Sequence, residues 1–388
     1  MAHYQICLFG RVDHRLTRLQ TLLEGLAEDL GLPSDALRYL DEANVGNRDK
    51  WLPSVAVFFG YKGATDAAHP GLVPLLAESA AVLTVVSDLE VAREEVPLLL
   101  ENINALELAD EAALTRLATL IFESFRLLRK ERRVFISYKR LDSQGLADRL
   151  YDEFDKRGFD VFIDTRSVPP GVDFQDELWH RMSDCDVVLL IDTPNFRIGR
   201  WTKEELARAN ATTVQILHLL WPGQAEDASS ALSEFFPLEA ADFGGMILDK
   251  GRTIQAGALE RICDAAERLR AKAIAARYRY LIDNFCDLAR DKGLEPSVQP
   301  ERWISLPLKD GSELAVVPAV GVPTSNKINE IFETIASMRS PSCKTWVIYD
   351  NRGLLQSWVR HLDWLDSHLP VRAIRVSSAA DPLDELAS

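Results

Sequence analysis

The sequence predicts an α/β protein built as three successive α/β blocks, the central one a doubly wound, flavodoxin-like parallel sheet. Two observations carry this. Short apolar runs of strand length alternate with amphipathic helical stretches along the chain. At 388 residues the chain also exceeds a single ordinary core, so two or three domains follow. The divisions fall at 1–130, 131–275 and 276–388.

In the first block the strands are Tyr4–Gly10 (YQICLFG), Ser54–Gly60 (SVAVFFG) and Ala81–Ser87 (AVLTVVS). Between the first two lies RLTRLQTLLEGLAEDL, whose Leu16, Leu19, Leu22, Leu23 and Leu26 recur at helical spacing. The block ends in a helical stretch that gathers Arg126, Arg129, Lys130, Arg132 and Arg133. These cations could hold a phosphate, but complementing a helix C-terminus beside a domain boundary is the expected role.

The second block opens with the strand RVFISY (Arg133–Tyr138), a polar turn KRLDS and the helix SQGLADRLYDEFDKRG. The strand FDVFID (Phe159–Asp164), a Pro/Gly loop and the helix VDFQDELWHRMSD follow. CDVVLLID and TVQILHLLW supply two more strands, and GGMIL is the candidate for a fifth. Reactive groups of such a sheet belong at the carboxyl ends of its strands.

A long helical segment comes next, with Ile262, Ala266, Leu269, Ala273, Ala276 and Tyr280 alternately four and three apart. This short heptad pattern fits self-association, but packing against its own domain is expected. The third block contains WISLPL, ELAVVPAVG, a helix around Lys327–Met338, KTWVIYD, a helix through Leu354–Leu365 and VRAIRVSS. Asp350, Asn351 and Arg352 follow a strand, where either a ligand or plain turn chemistry suits them.

Composition excludes several classes. Hydrophobic residues at 47% and charged residues at 27% match a soluble globular chain. A net charge of −15 argues against a general binder of nucleic acid or anionic membrane. Cys7, Cys185, Cys263, Cys286 and Cys343 are scattered without a CxxC pair, as in a reducing compartment, and are expected to be small buried hydrophobes. The histidines form no ligand-spaced cluster, so no metal is expected. P-loop, HExxH and GxSxG motifs are missing from the sequence. No signal segment or membrane-length apolar run is present, so the expected location is the cytoplasm.

Five motifs of the central block, VFISYKRLDS, GFDVFID, SVPPGVDFQDEL, SDCDVVLLIDTPNF and RWTKEEL, follow one another in order. Together they resemble the TIR (Toll/interleukin-1 receptor) domain family, over about a third of the chain. Some TIR domains are adaptors that only associate with other TIRs. Others, common in bacteria, cleave NAD at the nicotinamide–ribose bond, and the cleaving type carries a glutamate four residues after a tryptophan. Counting from Trp201 gives Glu205 as the implied catalytic residue. Residues i and i+4 share a helix face, so Trp201 and Glu205 border one cleft, whereas Glu204 is rotated away by about 100°. Thr202 stands where the family often has cysteine.

The chemistry asks little of the protein. Nicotinamide leaves as a neutral molecule from a cationic nitrogen, so no acid need protonate it, unlike most glycosidase leaving groups. One carboxylate can hold the ribose hydroxyls and stabilise oxocarbenium-like charge. Water attack at C1′ then gives ADP-ribose, and capture by an adenine nitrogen gives a cyclic product. NAD is thus substrate, and no cofactor is expected.

The resemblance assigns further positions. Tyr138, Lys139 and Arg140 match the family's dinucleotide contact after the first strand, where a solvated strand-end turn would suit them equally. Asp164 suits ribose binding or a turn cap, and Phe174 a pocket wall or the core. Ser167, Val168, Pro169, Pro170 and Gly171 match the loop by which TIR domains contact one another. Active forms in the family share a site between protomers, which implies a homo-oligomer. In the bacterial systems it resembles, a protein or nucleotide messenger triggers assembly, and NAD is depleted during phage infection. The flanking blocks would then be sensor or assembly modules. The alternative is a non-enzymatic TIR scaffold; a second-messenger receptor in one flanking block is a third reading, compatible with the enzymatic one.

Overall fold

The computed structural model describes residues 4–50, 52–78, 80–163, 174–195, 214–226, 233–300, 302–338 and 343–387. Two compact units emerge: Met1–Lys130 with Pro300–Arg302, and Glu131–Gln299 with Trp303–Ser388. The architecture is α/β throughout, with three five-stranded sheets among the described residues.

The first sheet comprises β1 (Tyr4–Gly10), β2 (Leu37–Leu40), β3 (Ser54–Phe59), β4 (Ala81–Val86) and β5 (Ala105–Glu107). Its order is β2-β1-β3-β4-β5, and every pairing is parallel. The central strands β1 and β3 are buried almost end to end, as expected where helices cover both faces. The edge strands β2 and β5 carry little apolar pattern, and periodicity alone misses them. Two helices, Arg15–Asp29 and Glu111–Ser124, are joined by an Arg18–Glu111 ion pair of 2.5 Å. The second ends with Arg126 at φ 60°, a left-handed position where glycine is the usual residue. Pro300 and Arg302 join this unit through the Tyr4 hydroxyl and the Leu30 carbonyl, respectively.

In the second unit, β6 (Arg133–Ser137), β7 (Asp160–Ile163), β8 (Val187–Asp192), β9 (Gln215–Leu220) and β10 (Glu234–Pro237) make an all-parallel sheet. The order β10-β9-β8-β6-β7 is the expected flavodoxin-like winding. One expectation is corrected. The fifth strand is Glu234–Pro237, not GGMIL. Gly244 and Gly245 instead take φ 71° and 88° after a short 3-10 helix, and leave Met246 and Leu248 63% and 53% exposed. The helix after β6 spans Arg140–Lys156, with a break at Ser143 where φ is −140°. Gly145 lies so close to the Asp249 carbonyl that a Cβ there would overlap it.

The long helix, Ala256–Asp291, runs 36 residues without interruption through residue 275. At 1.5 Å per residue that is about 54 Å. Its first half packs with the central sheet, through Leu259, Ile262, Ala266 and Leu269. Its second half packs with the third sheet, through Leu281, Phe285 and Ala289. The heptad residues are thus used largely within the chain, although Ala276 remains exposed.

The third sheet, β11 (Ser297–Val298), β12 (Ile304–Pro307), β13 (Glu313–Ala319), β14 (Lys344–Tyr349) and β15 (Val371–Arg375), is mixed. It is antiparallel from β11 to β13 and parallel from β13 to β15. Helices Ser325–Met338, Gln356–Asp366 and Ala380–Ala387 accompany it.

Buried charge fastens the central sheet at the amino ends of its strands. Arg270 and Asp186, both 0% exposed, pair at 3.0 Å, and Arg270 also donates to the Glu131 carbonyl. Arg132 pairs with Glu267 at 2.6 Å, and Arg133 with Asp184. Two of the arginines suggested as a phosphate site are therefore committed to carboxylates within the fold. Arg277 caps the helix Phe174–Asp184 by donating to the carbonyls of Ser183 and Cys185. The same helix end receives the loops of the third sheet, with Val322 N donating to Asp184 at 2.9 Å and His180 and Trp358 rings 5.7 Å apart.

Four of the cysteines are buried as expected, while Cys343 is half-buried. No helix among the described residues is long and apolar enough to cross a membrane.

Candidate functional site

Side-chain alternation divides the central sheet into two faces. Val134, Ile136, Leu189 and Leu217 face the helix Arg140–Lys156 and the long helix. Phe135, Val188, Leu190 and Ile216 face the other way, with Trp179 and Met182 of the helix Phe174–Asp184. Three polar residues interrupt this second, apolar face near the carboxyl ends of the central strands: Ser137 on β6, Asp192 on β8 and His218 on β9. All three are buried. In register, Ser137 lies opposite Leu190 and Leu190 opposite His218, so serine and histidine flank one leucine in a single row. Asp192 stands two residues further on, with its carboxylate 3.8 Å from the His218 Nδ1.

The loop after β8 is tied to the segment after β6. The Thr193 hydroxyl donates to Asp142 at 2.9 Å, and the Lys139 ammonium donates to the Asn195 carbonyl at 2.9 Å. Trp221 N donates to the Asp192 carbonyl at 3.1 Å, which joins the end of β9 to the same corner. The carboxyl edge of β6, β8 and β9 is thus one cross-linked surface, at the position where open α/β sheets take ligands.

Of the predicted residues, Lys139 stands on this edge and the exposed Arg140 opens the following helix. Tyr138 points elsewhere. Its ring is 0% exposed and belongs to the core on the opposite face, beside Leu146 and Leu150. As packed, it presents no free face to a dinucleotide. Glu205, Trp201, Thr202, Glu204, Asp164 and the loop Ser167, Val168, Pro169, Pro170, Gly171 lie outside the described residues, as does the side chain of Phe174. Sequence reasoning missed Ser137, Asp142, Asp192, Thr193 and His218. A signal was present: one histidine inside QILHLL and one aspartate closing VVLLID are polar breaks in otherwise apolar strands.

Thiol chemistry has little footing here. Burial pushes Cys263 up to about 12, against an opposing effect of Arg157, so the thiolate is scarce at neutral pH. For Arg157 burial works against the charge, but the 2.8 Å hydrogen bond to Asp264 and nearby anions outweigh it and the net shift is upward. Among the described residues no cluster of three or more His, Cys, Asp or Glu could hold a metal ion.

A family model described as TIR domain matches residues 134–245. That match begins in β6, ends after β10 and covers every strand of the flavodoxin-like sheet. Residues 134–245 are a TIR domain. No curated protein matches the chain. A solved structure from Silicibacter pomeroyi DSS-3, described as a phosphosugar isomerase, is similar over 70% of this chain and 86% of its own. Its identity is 11% and its TM-score 0.21, too low to bear on fold or function. The TIR domain therefore rests on its own sheet order and motifs, with the polar corner at Lys139, Asp142, Asp192, Thr193 and His218 as its candidate site.

Proposed function

We propose that the protein is an NAD glycohydrolase that cleaves the nicotinamide–ribose bond in its TIR domain. The observation that carries this reading is the TIR match at 134–245 on a flavodoxin-like sheet, in a chain whose sequence pairs Trp201 with Glu205. The carboxyl edge supplies groups of the right kind. Lys139 and the exposed Arg140 suit the pyrophosphate, and Asp142, Asp192 and Thr193 offer acceptors and a hydroxyl near a ribose.

In this mechanism the C1′–N bond breaks and its electron pair leaves with neutral nicotinamide. Glu205 stabilises the positive charge that develops on the ribose. A water oxygen bonds to C1′ and releases one proton, giving ADP-ribose; attack by an adenine nitrogen gives the cyclic product. NAD is the substrate, and neither metal nor cofactor takes part. Assembly through Ser167–Gly171 contacts between TIR domains activates the enzyme, in response to a protein or nucleotide messenger sensed by a flanking domain. The biological setting is the cytoplasm, as an antiphage immune effector.

The test is nicotinamide release by the full chain, concentrated and crowded to promote assembly. Glu205→Ala should lower turnover by about 10²-fold or more, with Glu204→Ala close to wild type. If wild type is silent while assembly is demonstrated, the protein is a TIR scaffold.

A further inference from the structure

We infer that His218 is a positioning residue of this site, acting through Asp192; the inference rests on the NAD-cleaving reading above. His218 is 4% exposed, and neither ring nitrogen has a hydrogen-bond partner among the described residues. Buried polar groups are rarely left so, because water would have satisfied them in the unfolded chain. Packing gives no reason for the imidazole. Its immediate neighbours across the sheet are Leu190 and Phe235, the latter ring 5.0 Å away, and a leucine would pack between these two apolar residues.

Among the described residues, the ionisable group placed to use the ring is Asp192, at 3.8 Å from Nδ1. That separation is longer than a hydrogen bond and short enough to become one after a small shift. Contacts that operate during a reaction are often long in the empty enzyme and tighten when substrate binds. Asp192 is also where positioning has most leverage. Its carbonyl receives Trp221 N, and the next residues are held by Asp142 and Lys139. From there the chain runs directly into the segment that carries Trp201 and Glu205. Closing His218 onto Asp192 fixes the end of β8 against the Lys139–Asp142 edge that the proposed function assigns to NAD. The unsatisfied imidazole is thus a stability loss retained for catalysis.

Three full-length proteins test this under assembling conditions: wild type, His218→Leu and His218→Asn. Thermal melting is read beside kcat and KM for nicotinamide release from NAD. His218→Leu should raise Tm by about 2 °C or more while lowering kcat at least about tenfold, with KM little changed. His218→Asn keeps a donor on the side of Asp192 and should recover much of kcat without the gain in Tm. Wild-type kcat in His218→Leu overturns the inference, since the ring would then be packing alone. A joint fall of Tm and kcat overturns it too, because it marks a structural residue. A silent wild type under demonstrated assembly removes the NAD reading itself and this inference with it.

Discussion

The N-terminal sheet and the TIR sheet have the same strand order and all-parallel pairing, yet their carboxyl edges are built differently. In the N-terminal sheet the central strands end in Phe9, Phe58, Phe59, Val85 and Val86, all buried and apolar. Its ionisable groups near that edge are paired: Glu95 accepts from both the amide and the hydroxyl of Ser87, and His69 pairs with Glu42 at 2.6 Å, although the buried Thr84 hydroxyl on β4 has no hydrogen-bond partner among the described residues. In the TIR sheet the same location holds Ser137, Asp192 and His218, and the histidine is unsatisfied among the described residues. A winding order says where a ligand can bind; the side chains at the strand ends say whether the edge is closed or prepared for chemistry.

The amino ends differ as well, and mutations there give the largest expected effects. Arg270→Ala should destabilise the TIR region by about 3–5 kcal/mol, because it leaves the Asp186 carboxylate buried without its guanidinium. Hydrogen exchange resolved by peptide would check this, with protection lost across Arg133–Asp192 and retained in the N-terminal sheet; equal loss in both sheets would break the contrast. Glu95→Ala should cost the N-terminal sheet about 1–3 kcal/mol, since the Ser87 amide and hydroxyl lose their acceptor. Denaturant melts should place its loss below that of Arg270→Ala, and the reverse ranking would mean that the closed edge is the more tightly fastened one. The smallest effect is a gain. Arg126→Gly should stabilise the N-terminal unit by about 1 kcal/mol, because glycine adopts φ 60° without Cβ strain. An unchanged melt would mean that the arginine side chain compensates for its backbone.

Much of the fold was legible in the chain because central strands of parallel sheets are buried on both faces. YQICLFG, SVAVFFG and VVLLID therefore read as nearly unbroken apolar runs. Edge strands give no such signal. Leu37–Leu40, Ala105–Glu107 and Glu234–Pro237 are short and half-solvated, and the more apolar GGMIL drew the fifth strand to a glycine turn. Motif spacing placed Lys139 and Arg140 at the carboxyl end of β6, where the chain enters the helix Arg140–Lys156. Spacing could not show that the Tyr138 side chain is buried on the opposite face, because its direction depends on which side of the sheet the chain turns after β6. Asp192 and His218 are 26 positions apart and meet only because β8 and β9 are paired in one register.

Periodicity and motif order by themselves determined the α/β class, the flavodoxin-like winding of the centre and the TIR resemblance, because these are local or strictly sequential properties. Tertiary structure alone decided that one continuous helix serves both the TIR sheet and the third sheet. It also decided that Arg132 and Arg133 at the boundary pair with Glu267 and Asp184, and that three polar side chains share one end of one face. Such pairings depend on register and on which groups burial deprives of water, and neither is written in the spacing of residues along the chain.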